Sequence, residues 1–219
     1  HGSGLLDSDL ETVVKPNVKL LRECGLGARD IAKLLTRVPM LRSSKPECVL
    51  AMVACAEGIG VPRGSRMFRQ ALQAVSYFSE EKIAARVDYL KKTFRWSDAE
   101  VGIAVSKAPS LLRSSKKMLQ RRSEFLISEA GLGPDYIAHR PNMLVLGVEV
   151  RLRPRYYVMK FLKENRLLKR DLSYNTIVKV TEKLFLEKFV CPHKEAAPHL
   201  AEDYATACRG RVPSRFIFT

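Results

Sequence analysis

Residues 37–44 read "RVPMLRSS" and residues 107–115 read "KAPSLLRSS". Their prolines, Pro39 and Pro109, stand 70 positions apart. Sliding the chain by that interval aligns more than one loop. Lys19-Leu20 falls on Tyr89-Leu90, Leu26 on Trp96, Asp30-Ile31 on Glu100-Val101, and Leu34-Leu35 on Ala104-Val105. An ungapped register of this length indicates a repeated architecture rather than one copied turn. Half the interval recurs as well. "CGLG" (24–27) returns as "EGIG" (57–60) and "AGLG" (130–133), with Gly25, Gly58 and Gly131 in corresponding places and Arg95 in the matching place of the Trp96 unit. Pro141 in "HRPNML" supplies a further proline turn, and Val75 stands where the second unit would place one.

Each unit reads as two helices. Ile31, Leu34, Leu35 and Val38 lie at i, i+3, i+4 and i+7, an amphipathic stripe. Pro39 stops it, because proline has no N–H to donate and its ring clashes with the preceding turn. A second helix is predicted from Ser44 as cap and Pro46 in the first turn, with Val49, Leu50, Val53 and Ala54 as its stripe and Gly58 as its left-handed stop. Ser97 with Glu100 spells a capping box. No strand-like alternation of useful length occurs, so the fold class expected is all-α: a superhelical solenoid of about 35-residue helical repeats, stacked because no single pair can bury its apolar face. Residues 1–4, "HGSG", are expected to be an expression-tag remnant, 5–170 the repeats, and 171–219 a C-terminal helical cap and tail with Ser173 as a helix start.

The 219 residues carry 38 basic and 23 acidic side chains, a net of +15. The surplus is localised. Residues 61–120 hold 12 basic against 5 acidic groups and residues 121–170 hold 11 against 5, whereas 1–60 and 171–219 are each +1. A concentrated positive field selects polyanions, nucleic acid first. The cations that recur beside the proline turns are Arg37 and Arg42, Lys107 and Arg113, and Arg140. Lys116 and Lys117 follow the third turn. Arg63, Arg66 and Arg69 open the second unit and would share a helical face. Arg151, Arg153 and Arg155 cross the fourth, and since they would not share one face, at least one is expected to turn elsewhere or pair with Glu149. These thirteen are the candidate phosphate contacts; arginine's planar fork suits bidentate phosphate binding. Tyr156, Tyr157 and Trp96 would stack on bases of a single strand, but Trp96 maps onto Leu26, a core position.

Other chemistries find little support. The G-x-G strings follow helices rather than strands and lack a third glycine at nucleotide-loop spacing. "CPHKEAAPH" (191–199) with Cys208 matches no zinc-ligand spacing. No nucleophile, base and orienting group assemble, so no catalysis, cofactor or metal is expected. The five cysteines, an odd number at irregular spacing, argue against a disulfide framework, and Cys48 and Cys55 read as small core residues. No run of apolar residues is long enough to span a bilayer, so no membrane partner is expected.

The 35-residue pattern of glycine turn, proline-stopped helix and leucine-rich segment resembles the mitochondrial transcription termination factor (mTERF) family. The most specific stretch is "YIAHRPNMLVLGVEVRLRPRYYVMKFLKENRLL" (136–168), similar to the plant branch, with Arg140-Pro141, Glu149, Arg151, Pro154 and Arg155 at the family's places. "LVLGVE" replaces the usual serine-leucine-glutamate run. The resemblance implies a half-doughnut superhelix, a chloroplast or mitochondrial home reached through a transit peptide not included here, and a role in organellar gene expression. On that basis a monomer is expected to hold double-stranded DNA in a basic groove and regulate transcription, termination above all. The alternative is an RNA-binding or protein-binding scaffold in intron splicing or RNA and ribosome maturation, with protein partners of organellar gene expression.

Overall fold

The computed structural model describes residues 10–168 and 172–216, and within them every regular element is helical. A π-helical turn, Leu10–Val14, enters α1 (Lys15–Glu23). The first module is α2 (Ala28–Arg37), a 3-10 turn at Pro39–Arg42, and α3 (Pro46–Gly58). The second is α4 (Phe68–Val75) and α5 (Glu80–Phe94). The third is α6 (Asp98–Lys107), a 3-10 turn at Pro109–Arg113, and α7 (Lys116–Ser123), which runs on as the π-turn Glu124–Glu129. The fourth is α8 (Pro134–His139), the 3-10 turn Pro141–Val145, and the π-turn Val148–Leu152 leading into α9 (Arg153–Glu164). α10 (Tyr174–Lys179) and α11 (Glu182–Phe185), continued by Leu186–Val190, repeat the plan a fifth time, and α12 (Leu200–Cys208) follows.

The backbone records the period directly. Of the seven positive φ angles among the described residues, five, at Gly25, Gly60, Arg95, Gly131 and Arg166, recur at intervals of 35, 35, 36 and 35 residues, the others being Gly64 and Gly210. Gly25 ends α1 and each of the others ends a module's second helix. The next residue donates its N–H back into that helix: Leu26 to Leu21 O, Val61 to Ala56 O, Trp96 to Lys91 O, Leu132 to Leu126 O and Leu167 to Leu162 O, at 2.8–3.2 Å. This is the left-handed helix stop, in which an apolar residue beyond the turn folds back on the helix it closes. The left-handed residue of "EGIG" is therefore Gly60, not Gly58, which is still helical. The Ser97–Glu100 capping box forms as the sequence predicts. Ser44 does not cap; Lys45 occupies that place, with Pro46 at the first helical position.

The chain divides into two compact units, 1–115 and 116–219. Leu34, Leu41, Val49, Val53, Phe68, Leu72, Leu90 and Phe94, each at most 2% exposed, fill the first. Trp96 is buried and stacks on Phe94 with centroids 4.6 Å apart, a core residue rather than a base platform. In the second unit Val158 and Leu162 of α9 pack with Ile177, Phe185, Phe189, Leu200 and Tyr204. Residues 172–216 thus share a core with α9. Cys24 is buried, but Cys48 is exposed and Cys55 only half-buried, so the core role expected for the pair fails at Cys48.

A polar side chain locks successive modules. A helix stopped by proline leaves carbonyl oxygens without donors. Asn17 Nδ2 donates to Leu41 O and Ser44 O at 2.9 and 2.8 Å. Arg86 Nη1 takes Leu112 O and Ser114 O at 2.7 and 3.3 Å. Arg155 Nη1 takes Ile177 O, Val178 O and Val180 O at 3.1, 3.3 and 2.7 Å. In each case a helix, α1 or the second helix of a module, reaches the break in the module that follows.

Candidate nucleic-acid interface

The breaks between paired helices carry the exposed cations. Arg37 is the last residue of α2 and Arg42 closes its 3-10 turn; Lys107 ends α6 and Arg113 closes the next turn; all four are exposed. They lie where helix C-termini point their negative dipole ends, which favours cations locally. In the first unit the fold brings the ends of this set together. Tyr77, 47% exposed, donates its hydroxyl to Arg37 O at 2.8 Å. The guanidinium of Arg113 lies 4.5 Å from the centre of the same ring. Tyr77 sits in the second module's break, two residues beyond the Val75 that replaces a proline. The breaks of three modules thus meet on one face of this unit. Arg37, Arg42 and Arg113 form no ion pair among the described residues.

Arg63, Arg66 and Arg69 do not share a helical face. Residues 62–67 form turns, and α4 begins only at Phe68. Arg63 is paired with Glu57 at 2.9 Å, and that bond raises its pKa. Arg69 is held by Asp30 at 3.1 Å. Arg66 stays exposed and unpaired among the described residues.

In the second unit Lys116 and Lys117 are exposed at the start of α7. Arg140, half-buried, lies over the Tyr136 ring at 4.1 Å. The remaining three candidates are structural. Arg155 has 0% exposure; beside its three carbonyls it pairs with Glu182 at 2.7 Å and covers the Phe185 ring at 4.5 Å. It is not offered to a surface polyanion. Arg151 donates to Val180 O at 2.7 Å. Arg153 bonds Glu129 at 3.0 Å and also Glu149, which in turn holds Arg121 at 2.8 Å. Desolvation would lower the pKa of Arg153, but the two carboxylates outweigh it and raise it. The expectation that one of the three pairs with Glu149 is met by Arg153, and its reason is the helix: Glu149 and Arg153 stand at i and i+4 on one face, while Arg155 turns into the core.

Glu129 also accepts from the Tyr157 hydroxyl at 2.8 Å. Burial and that carboxylate push the Tyr157 pKa up to about 12. Tyr157 is 8% exposed and Tyr156 bonds Glu129 O at 3.2 Å, so both rings belong to the packing. Two residues escaped the sequence reading: Tyr77, which no periodicity singles out, and Arg122, discussed below. The signal for Arg122 was its register: it stands 9 residues before Gly131, as Arg86 stands 9 before Arg95. Among the described residues no group of three His, Cys, Asp or Glu side chains is placed to hold a metal, and no helix is long and apolar enough to cross a membrane.

The sequence profile of the family described as mTERF matches residues 3–186. Three curated proteins of Arabidopsis thaliana are similar to this chain. "Transcription termination factor MTERF15, mitochondrial" is 23% identical over 186 residues, 84% of this chain and 41% of that protein. "Transcription termination factor MTERF8, chloroplastic" is 21% identical over 183 residues, 83% of this chain and 35% of that one. "Transcription termination factor MTEF18, mitochondrial" is 26% identical over 108 residues, 49% of this chain and 19% of that one. The chain spans less than half the length of each.

Proposed function

Because the chain belongs to the mTERF family, we propose that it is a nucleic-acid-binding protein of organellar gene expression, gripping the phosphate backbone of a double-stranded target through the cations at its helix breaks. The observation that carries this reading is the convergence on Tyr77. The backbone carbonyl of Arg37 and the guanidinium of Arg113, 76 residues apart in sequence, come to one aromatic side chain of the first unit. Arg42, Lys107 and Arg66 are exposed in the same unit, and Lys116, Lys117 and Arg140 supply the second. Dispersed cations suit a duplex, which presents about one charge per 1.7 Å of axis, better than they suit a point ligand.

The target in this reading is duplex DNA, held mainly through its backbone with little base readout. The role is regulation of transcription, termination included, in a chloroplast or mitochondrion, as the names of the relatives state for those proteins. The binding needs no cofactor and no catalysis, and one copy of the chain suffices.

Binding of matched DNA duplex, RNA duplex and single strands across a salt series tests it. Log affinity for the DNA duplex is expected to fall linearly with log salt, with a slope of about −3.6 or steeper, four phosphates at roughly 0.9 each. A flat response would refute the backbone mechanism. Tighter binding of the RNA duplex would replace DNA with structured RNA as the target.

A further inference from the structure

Arg122 is a buried cation with nothing to hold. It is 5% exposed, its Nη1 is fully buried without an acceptor, and its guanidinium has no hydrogen-bond or ion-pair partner among the described residues. Arg86 stands at the matching place, 9 residues before the left-handed Arg95 as Arg122 stands 9 before Gly131, and it spends its N–H groups on carbonyls of the following break, as Asn17 and Arg155 do from neighbouring turns of their helices. Arg122 does not. Desolvation lowers its pKa with no compensating anion. An uncompensated buried charge costs several kcal/mol, so this site is short of a negative group.

The residue lines a cavity of about 220 Å³ in the second unit. The walls are mostly apolar, from Met118, Leu146, Val148 and Val150. Gly147 and Val148 also line it, and they begin the continuous helix that runs through α9 to Glu164. The first N–H groups of a helix have no partner within it, and its dipole places positive potential there. Glu149 borders the cavity too, but its carboxylate is taken by Arg121 and Arg153. What remains is one guanidinium without an acceptor among the described residues, sharing the cavity lining with a helix start, and an oxyanion placed there would meet both.

We propose that this cavity is an oxyanion site that takes a phosphate group, with Arg122 as its cation and the helix start at Gly147–Val148 as its second donor. As a seat for a backbone phosphate it deepens the nucleic-acid reading and rests on it; as a site for free phosphate it does not.

The full chain, wild type and Arg122→Met, is melted in inorganic phosphate and in chloride at matched ionic strength. If phosphate at about ten times its Kd binds the native state, the wild-type midpoint rises by roughly 3–6 °C and the variant's does not. Equal gains in both proteins, or none in the wild type, overturn the site. Should Arg122→Met fail to fold, Arg122→Lys, which keeps the charge but loses the fork, and phosphorus-31 line broadening by the wild type decide the matter: no broadening overturns the site. The duplex salt series then separates the sources. A slope shallower by about 0.9 in Arg122→Met places a backbone phosphate in the cavity. An unchanged slope with phosphate protection lost assigns it to free phosphate. A wild type protected by phosphate but blind to every nucleic acid would sink the nucleic-acid reading and leave the oxyanion site standing.

Discussion

Arg155 and Arg66 carry the same charge in opposite settings. Arg155 closes three carbonyls and a carboxylate at 0% exposure, whereas Arg66 stands in water without a partner among the described residues. Arg155→Met is expected to cost about 3–5 kcal/mol, since it orphans the buried carbonyls of the break after α10; the Glu182 carboxylate it also pairs with is largely exposed and adds little. Arg66→Ala is expected to change stability by less than about 0.5 kcal/mol. Urea unfolding of the two variants checks both numbers. Tyr157 gives a pH test. Its pKa is raised to about 12 in the folded chain, against about 10 when unfolded. The folded state therefore keeps a proton that the unfolded state loses, so the tyrosine's contribution is complete below pH 10 and drains away between about 10 and 12. Tyr157→Phe should flatten the alkaline loss of stability by about 1.4 kcal/mol per pH unit in that window. Equal slopes in the two proteins would mean that the Glu129 bond does not hold the ring in its protonated form.

At the scale of the element, the left-handed stop is the repeating part. Gly25 and Gly131 occupy equivalent positions with φ of +85° and +66°, where an L side chain costs about 1 kcal/mol. Their surroundings differ. A Cβ at Gly25 would come to 3.0 Å from Gly64 Cα, a backbone atom that cannot swing aside, whereas one at Gly131 would meet nothing within 4 Å. Gly131→Ala is expected to cost about 1 kcal/mol and Gly25→Ala clearly more. Thermal melts that rank them the other way would show that the Gly64 loop yields. Arg95 takes the same left-handed turn with a full side chain, φ +57°, which the buried Trp96 and the capping box at Ser97, the two residues that follow it, hold in place.

At the scale of the molecule, the charge surplus of residues 61–170 divides into cations used up by the fold and cations left for a partner. Arg151, Arg153 and Arg155 are of the first kind. Reversing Arg42, Arg66 and Lys117 to glutamate changes the net charge by six units at exposed positions, and folding should survive it. In the proposed mode duplex affinity should fall at least a hundredfold at about 0.1 M salt, each lost phosphate contact flattening the salt slope by roughly 0.9. Circular dichroism and a filter-binding titration read the two halves of that statement. Native fold with native affinity would place the interface on another face.

The period, the all-α class and the proline breaks were legible in the residues themselves, because glycine at positive φ, proline at a helix stop and a Ser-x-x-Glu cap are local chemistry that each stretch decides for itself. Arg95 could be placed in the glycine register for the same reason, and Trp96 in the core by its alignment with Leu26. Which cations face water was not legible. Arg113 stands four residues after a proline and Arg155 directly after one, and nothing in the sequence says which is buried; one lies on an exposed tyrosine and the other under Phe185, because burial depends on which distant carbonyls and carboxylates the packing of helices brings within reach. The same holds for Tyr77, whose two partners lie 40 and 36 residues away, and for Arg122, whose empty coordination exists only once the helix beginning at Val148 closes beside it. Helix and turn are settled within one module; the pairing of charges is settled between modules, where only the tertiary contacts choose the partner.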